Sequence, residues 1–180
     1  MKKLFLCLLS FALVSNSIWA QESKFTVSEA GLTDYIVVPV DSMKSVDIYS
    51  KCIEWVGKTY KSPEDVIKSK IEGSSVRIEG SADGLLYTLG GVTYLTRYQV
   101  EISFRDGRYK FDVLSIETYA NAQYGWNSFP YKGDWAAYYK NGEPRKAWVC
   151  INDIPVYFNN LSESLKVYIL NSGKQESEKW

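Results

Sequence analysis

Histidine is missing from the 180-residue sequence altogether. Imidazole is the general base of Ser-His-Asp and Cys-His catalytic sites, a common zinc ligand, and the side chain whose charge changes nearest neutral pH. The absence of histidine therefore excludes those two kinds of catalytic site, zinc sites with histidine ligands, and a pH switch based on histidine.

An excess of basic residues is also lacking. Lysine and arginine together number 21, and so do aspartate and glutamate. Removal of an N-terminal export signal would take Lys2 and Lys3 with it and leave the chain slightly acidic. Proteins that bind nucleic acid usually carry a basic patch, and no cluster of lysines supplies one in this sequence. We therefore expect no nucleic-acid partner.

No segment of the chain is a long apolar run, and the longest predominantly apolar stretch is at the N-terminus. The pair Lys2-Lys3 precedes the apolar run 4–14, and Ala20-Gln21 offers a cleavage site after a small residue. This pattern is typical of a secretory signal peptide over residues 1–20. A retained N-terminal anchor is the alternative, but the run is shorter than the roughly 20 residues of a membrane span. We expect an exported protein, in the periplasm or at the cell surface, with no integral membrane segment in the mature chain.

Cysteine is scarce, with three residues in the chain. Cys7 lies in the predicted signal peptide, so Cys52 and Cys150 remain after cleavage. In an oxidising compartment these two could form one disulfide. The alternative is a pair of buried thiols, since cysteine is among the most buried residue types. We favour the thiols, because Cys52 lies in a predicted helix beside the apolar residues Ile53 and Val56.

The most regular pattern in the chain predicts a long antiparallel hairpin between Tyr94 and Thr118. Apolar and polar residues alternate over 98–105 and again over 109–113, which is the period of a half-buried strand. Between the two runs, Asp106-Gly107 favours a type I′ turn. Residues after Val113 fall out of phase, which indicates a bulge or a change of face there.

Before the hairpin, the sequence predicts one helix and three strands. The helix, from Val46 to Tyr60, places apolar residues at steps of three and four, and Pro63 follows its end. Ser42 or Ser45 is available as its N-cap. The strands are 35–40, 66–72 and 75–81. In the second strand, Ile67 and Ile71 are expected on the same face. A polar lead-in, 21–34, precedes the first strand.

This order of elements, together with particular residues, resembles the DUF4468 family. The resemblance covers residues 35–118, and its most specific parts are Trp55 in the helix and RDGRYKF at 105–111. DUF4468 proteins are exported bacterial domains, common in gut Bacteroidetes, with a TBP-like fold. The resemblance implies an α+β layout, β-α-β-β-β-β-α, with helices packed on one face of a curved antiparallel sheet. It implies no activity and no catalytic residues, and the fold does not by itself imply DNA binding.

Residues 119–158 depart from this resemblance and form an aromatic-rich insertion before the last helix. No period fits the first half of the insertion, so we expect a structured loop there. Asn141-Gly142 predicts a second tight turn, which would pair 135–139 with 147–151.

The last helix is expected over residues 160–172, with Ser162 near its start as a cap and a polar tail at 173–180. Residues 35–172 would then form a single α+β domain.

The insertion contains the strongest candidates for ligand binding, namely Trp126, Tyr131 and Trp135. Exposed tryptophan and tyrosine rings suit stacking on sugars or anchoring in protein interfaces. The alternative is that these rings fold inward as a satellite core beneath the loop.

Paired carboxylates can perform acid–base catalysis without histidine. Glu79, Asp83, Glu101 and Asp112 lie near predicted strands, and Glu101 and Asp112 are expected to be neighbours on the solvent face of the hairpin. A hydrolase with a carboxylate pair is thus the alternative function. We expect instead a non-enzymatic binding or accessory module of the bacterial envelope, with no cofactor and no metal, that contacts protein or glycan.

Overall fold

The computed structural model of the protein describes residues 24–133, 135–136 and 138–177. The predicted signal peptide, residues 1–20, and its cleavage site lie outside this part of the chain. In chain order the strands are β1 (Val27–Ser28), β2 (Gly31–Leu32), β3 (Tyr35–Pro39), β4 (Ile67–Ile71), β5 (Ser75–Ser81), β6 (Thr96–Arg105), β7 (Arg108–Tyr119), β8 (Trp126–Ser128), β9 (Tyr139–Lys140) and β10 (Glu143–Pro144). The α-helices are α1 (Ser45–Thr59), α2 (Pro63–Val66) and α3 (Asp153–Ser177), and a 3₁₀ helix spans Lys146–Asn152.

Six strands form one antiparallel sheet, in the order β3-β7-β6-β5-β4, with β8 paired to the end of β7. Helices α1 and α3 pack together on one face of this sheet. The Trp55 indole of α1 donates to the Ser164 hydroxyl of α3 at 3.1 Å. The Tyr109 hydroxyl of β7 donates to the Ser162 carbonyl of α3 at 2.8 Å. The predicted α+β class and the layout with helices on one face are confirmed.

The hydrophobic core lies between the sheet and the two helices. Alternation along β6 and β7 turns Val100, Ile102 and Phe111 toward the helices, which cover them with Ile48 of α1 and Phe158 of α3. All five side chains are fully buried. Burial of a side chain of this size stabilises the fold by about 1.5–3 kcal/mol. The other face of the sheet carries charged residues that pair across the strands, such as Arg77 with Glu101 and Arg97 with Glu117.

The central hairpin is confirmed, including its irregularity. Gln99 pairs with Ser115 and Val100 with Val113, so Leu114 is an extra residue in β7 and forms a β-bulge. This bulge returns Ile116 to the buried face, as the change of phase indicated. The predicted type I′ turn is wrong, because only Gly107 of the two central residues has a positive φ, at 75°.

The N-terminus of α1 is capped from the hairpin turn and not by a local serine. Lys44 occupies the N-cap position, and no side chain of the helix caps it. The Asp106 carboxylate instead accepts hydrogen bonds from the Ser45 N–H at 2.9 Å and from the Lys44 ammonium at 3.0 Å. A carboxylate at this position satisfies a helix N–H group and favours the positive end of the helix dipole. Asp106 therefore ties the turn to the helix.

Replacing Asp106 by asparagine is expected to lower the free energy of unfolding at neutral pH but not in acid. The Ser45 N–H and the Lys44 ammonium hold the pKa of Asp106 below its ordinary value of 3.8. A carboxyl whose pKa is lower in the folded state stabilises the fold above the ordinary pKa, and this contribution is lost as the pH falls through the folded value. Urea unfolding of the native chain and the variant, from about pH 7 down to about pH 2, measures the difference.

The stability difference between the two chains should shrink toward zero below the ordinary pKa of aspartate. Asp41→Asn is the matched control, since Asp41 is exposed and has no recorded ion pair among the described residues. A difference that stays constant over the whole pH range would contradict the role of Asp106 as a charged cap.

Three predicted boundaries differ from the structure. The last helix begins at Asp153, not at 160, and runs to Ser177, through part of the predicted tail. Ser162 is consequently a buried residue within the helix and not its cap. Residues 147–151 lie in the 3₁₀ helix, so the turn at Asn141-Gly142 joins only the short strands β9 and β10.

The prediction that Ile67 and Ile71 share a face is also wrong. Ile71 in β4 is 63% exposed, because a register shift between Ile67 and Ser69 changes the face to which the later residues point. In the lead-in, Phe25 is buried against Phe111 and Phe158. The Asn159 side chain fixes it by hydrogen bonds to both backbone groups of Phe25.

Cys52 and Cys150 are free, buried thiols, as the sequence favoured. Burial raises the pKa of the Cys52 thiol. Because the thiolate is the reactive form of cysteine, Cys52 acts as a small apolar core residue.

Candidate functional site

The aromatic insertion folds inward around Trp135. This side chain is 0% exposed, and its ring contacts those of Phe129, Tyr138 and Tyr139. Its indole N–H donates to the Pro130 carbonyl, so its polar group is also satisfied. The expectation of an exposed ligand-binding ring at Trp135 is contradicted, and the satellite core is the correct reading for this residue.

Tyr131 is half-buried and held in place. Its hydroxyl donates to the Val113 carbonyl at 2.9 Å, and the Lys132 ammonium lies 5.5 Å from its ring centroid. Burial raises the pKa of Tyr131 to about 12. The tyrosine therefore attaches the insertion to the bulged part of β7.

Trp126 is the one predicted ring with substantial exposure, at 37%. It lies on β8, opposite Tyr119 of β7, and the two rings meet edge to face with centroids 5.5 Å apart. The Arg97 guanidinium lies 4.4 Å from the Trp126 ring centroid and also pairs with Glu117. These contacts orient the indole at the end of the sheet.

Trp126 lies at the end of the sheet opposite the hairpin turn, and we call the exposed apolar residues of this end and of the segments next to it the apolar end. Its other members come from the loop before β6 and from the 3₁₀ helix. The members, with their exposed fractions, are Leu89 (70%), Val92 (62%), Tyr94 (38%), Leu95 (54%), Trp126 (37%) and Trp148 (37%).

Backbone hydrogen bonds hold the segments of the apolar end together. The Tyr119 N–H donates to the Leu95 carbonyl at 3.0 Å, which places Leu95 beside the β7–β8 pair that carries Trp126. The Thr88 N–H donates to the Val92 carbonyl at 2.9 Å and closes the loop tip that carries Leu89. These apolar side chains are therefore presented on a fixed backbone.

A small cavity of about 160 Å³ lies within the apolar end. It is lined by the partly exposed Tyr94 and Trp148 and by the buried Leu86, Phe129 and Cys150. A partly open apolar cavity flanked by aromatic rings is a suitable receptor for one apolar side chain of a partner.

Sequence reasoning missed most of this surface. Leu89 and Val92 flank Gly90-Gly91, and apolar residues at a loop tip are themselves unusual, because loops normally face water. That signal could have been recognised in the sequence. The exposure of Trp148 could not have been, because residues 147–151 were predicted to form a strand.

The candidate carboxylates form ion pairs on the open face of the sheet. Glu101 and Asp112 lie directly opposite each other across β6 and β7, as predicted. Glu101 accepts from Arg77 at 2.8 Å, and Asp112 pairs with Lys110 at 3.3 Å and with Lys132 at 3.2 Å.

The two other candidate carboxylates also have structural partners. Burial raises the pKa of Glu79, but hydrogen bonds from Gln99 and Lys68 outweigh this, and the pKa lies below its ordinary value. Asp83 accepts a hydrogen bond from the Thr96 N–H at 3.2 Å. All four carboxylates thus serve as acceptors that hold neighbouring elements together.

No group of three or more cysteine, aspartate or glutamate residues in the described part of the chain could hold a metal ion. None of its helices combines the length and the apolar character that crossing a membrane requires.

The sheet, the helices and their order define a TBP-like α+β fold. A crystal structure of a TBP-like protein from Parabacteroides distasonis is similar to this chain, with a TM-score of 0.53 and 16% identity, over 76% of this chain and 91% of that one. A crystal structure of a DUF4468 family protein from Bacteroides ovatus is similar as well, with a TM-score of 0.58 and 11% identity, over 78% and 87% of the two chains. No family model and no curated protein matches the chain. At these identities the likeness is one of fold, and it confirms the fold that the resemblance to DUF4468 implied.

Proposed function

We propose that this protein is a non-enzymatic binding module of the bacterial envelope, which contacts another protein through the apolar end. The observation that carries this proposal is that Leu89, Val92, Leu95, Trp126 and Trp148 are all exposed apolar residues. Exposed apolar residues that form a patch are typical of interaction sites.

The composition of the apolar end favours a protein over a glycan. Sugars stack on flat aromatic faces, and one approach to the Trp126 ring is already taken by the Arg97 guanidinium. The three most exposed members, Leu89, Val92 and Leu95, are aliphatic and have no ring on which a sugar could stack. Aliphatic side chains around aromatic anchors are instead what a protein partner buries.

The carboxylates support the non-enzymatic part of the proposal. A glycosidase-type pair needs two acids that face each other across the space where the substrate lies. Glu101 and Asp112 are instead neighbours on adjacent strands, and each is neutralised by basic residues. The hydrolase alternative has no comparable observation in its favour. The envelope location rests on the predicted signal peptide at residues 1–20.

Charged substitutions at the apolar end test the proposal. Val92→Asp and Leu95→Asp should each reduce retention of a protein partner from an envelope extract by about tenfold or more, because a carboxylate in a closed apolar interface must be desolvated without a partner. Retention is measured by mass spectrometry on immobilised native and variant chains. Val167→Asp is the control, since Val167 is also exposed but lies on α3.

The nature of the partner follows from treatment of the extract. Digestion of the extract with protease should abolish the retention. Retention that survives protease and is lost after periodate oxidation would show that the partner is a glycan and not a protein. Equal retention by the native chain, Val92→Asp and Leu95→Asp would show that the apolar end does not bind the partner.

A further inference from the structure

A second candidate site lies on the open face of the sheet, at the end near the hairpin turn. It is a cleft of about 460 Å³, within the range of about 300–1,000 Å³ typical of small-molecule sites. Its lining residues are Tyr35, Val37, Ser74, Ser103, Phe104, Arg105, Arg108 and Lys110. The described lining thus contains three basic side chains and no acidic one.

Two of these basic residues lack, within the described chain, the acidic partner that other basic residues on the same face have. Elsewhere on this face, Arg77 pairs with Glu101, Arg97 with Glu117 and Lys68 with Glu79. In the described part of the chain, no ion pair or side-chain hydrogen bond is recorded for Arg105 or Arg108. Both are exposed and line the cleft.

The arrangement of Arg105 and Arg108 is electrostatically unfavourable on its own. They are directly opposite each other in the β6–β7 ladder, and like charges at such positions repel. The nearest acid in sequence, Asp106, is engaged on the helix side by Lys44 and Ser45. Lys110, one step further along β7, lines the same cleft but is paired with Asp112. An anion in the cleft would relieve this repulsion.

We propose that the cleft binds the phosphate monoester group of a small phosphorylated molecule such as a sugar phosphate. Two guanidinium groups on facing strands can each donate paired hydrogen bonds to a doubly charged oxyanion. The Ser103 hydroxyl lines the same cleft. The half-exposed ring of Tyr35, with the Lys110 ammonium 5.3 Å from its centroid, borders the space that the rest of the molecule occupies.

This site is independent of the apolar end. It uses the turn-proximal ends of β6 and β7, whereas the apolar end lies at the opposite ends of the same two strands. A result that contradicts one proposal therefore does not contradict the other.

Calorimetric titration of the full chain with glucose 6-phosphate, and with glucose alone, tests the proposal. We expect binding of glucose 6-phosphate, no binding of glucose, and competition by inorganic phosphate. The double variant Arg105→Gln, Arg108→Gln should raise the dissociation constant by at least about tenfold, because charge-assisted hydrogen bonds are lost. Since this variant also removes a like-charge pair, its thermal midpoint should not fall.

The control removes two positive charges outside the cleft, with Lys61→Gln and Arg145→Gln, and should bind glucose 6-phosphate like the native chain. Sedimentation with phosphatidylcholine vesicles, with and without phosphatidic acid, shows whether the same phosphate group is recognised on a lipid. Binding to either phosphate source that requires Arg105 and Arg108 supports the site. Absence of binding to both sources, or equal binding by the double variant, overturns it.

Discussion

Replacing Trp135 by alanine should lower the free energy of unfolding by about 3–5 kcal/mol, which is the usual cost of truncating a buried tryptophan. The side chain is fully buried among Phe129, Tyr138 and Tyr139. Alanine would leave a large cavity and would also remove the donor that satisfies the Pro130 carbonyl. Urea unfolding followed by circular dichroism measures the change, because this signal does not depend on Trp135 itself.

Trp126→Ala is the matched control for this experiment. The same residue type lies in the same insertion, but its ring is 37% exposed, so the expected loss is below about 1.5 kcal/mol. Similar losses in the two variants would contradict the assignment of Trp135 to the core and of Trp126 to the surface.

Gly80→Ala is expected to be the second most damaging change, with a loss of about 1–3 kcal/mol or more. A Cβ atom on Gly80 would lie 2.6 Å from the ring carbon Cζ of Tyr98. That ring cannot retreat easily, because Tyr98 is 1% exposed and packs against Tyr157 and Phe158. Its hydroxyl also lies 2.8 Å from that of Tyr60. Thermal and urea unfolding of the variant measure the loss.

The same substitution at Gly57 should change the free energy of unfolding in the opposite direction. Gly57 lies in α1, and a Cβ atom there meets nothing within 4 Å. Alanine has the higher helix propensity, so Gly57→Ala should raise the free energy of unfolding by about 0.5–1 kcal/mol. A stable Gly80→Ala variant would show that β5 and Tyr98 are not packed as described.

Local sequence patterns predicted those parts of the fold that local interactions determine. The alternation in β6 and β7 and the break after Val113 are properties of a few adjacent residues, and both the hairpin and its bulge are present. The helical period of α1 is likewise visible within a single segment. The first two turns of α3, from Asp153, were not predicted; they contain Pro155, which is well tolerated because it lies in the first turn of the helix.

Interactions between distant segments could not be read in this way. The cap of α1 comes from Asp106, 61 residues after Ser45. Trp126 and Trp135 are the same residue type in the same insertion, and tertiary packing buries Trp135 and leaves Trp126 exposed. The apolar end, similarly, exists because the loop before β6 and the 3₁₀ helix meet around one cavity.

The most direct test of the proposed function is photo-crosslinking of the protein in the bacterium that produces it. A photoreactive phenylalanine analogue replaces Leu95 in one variant and Val167 in another, both exposed positions. A protein partner bound at the apolar end predicts one discrete protein adduct from position 95 and none from position 167. No adduct at either position, or the same adducts from both, would contradict the account.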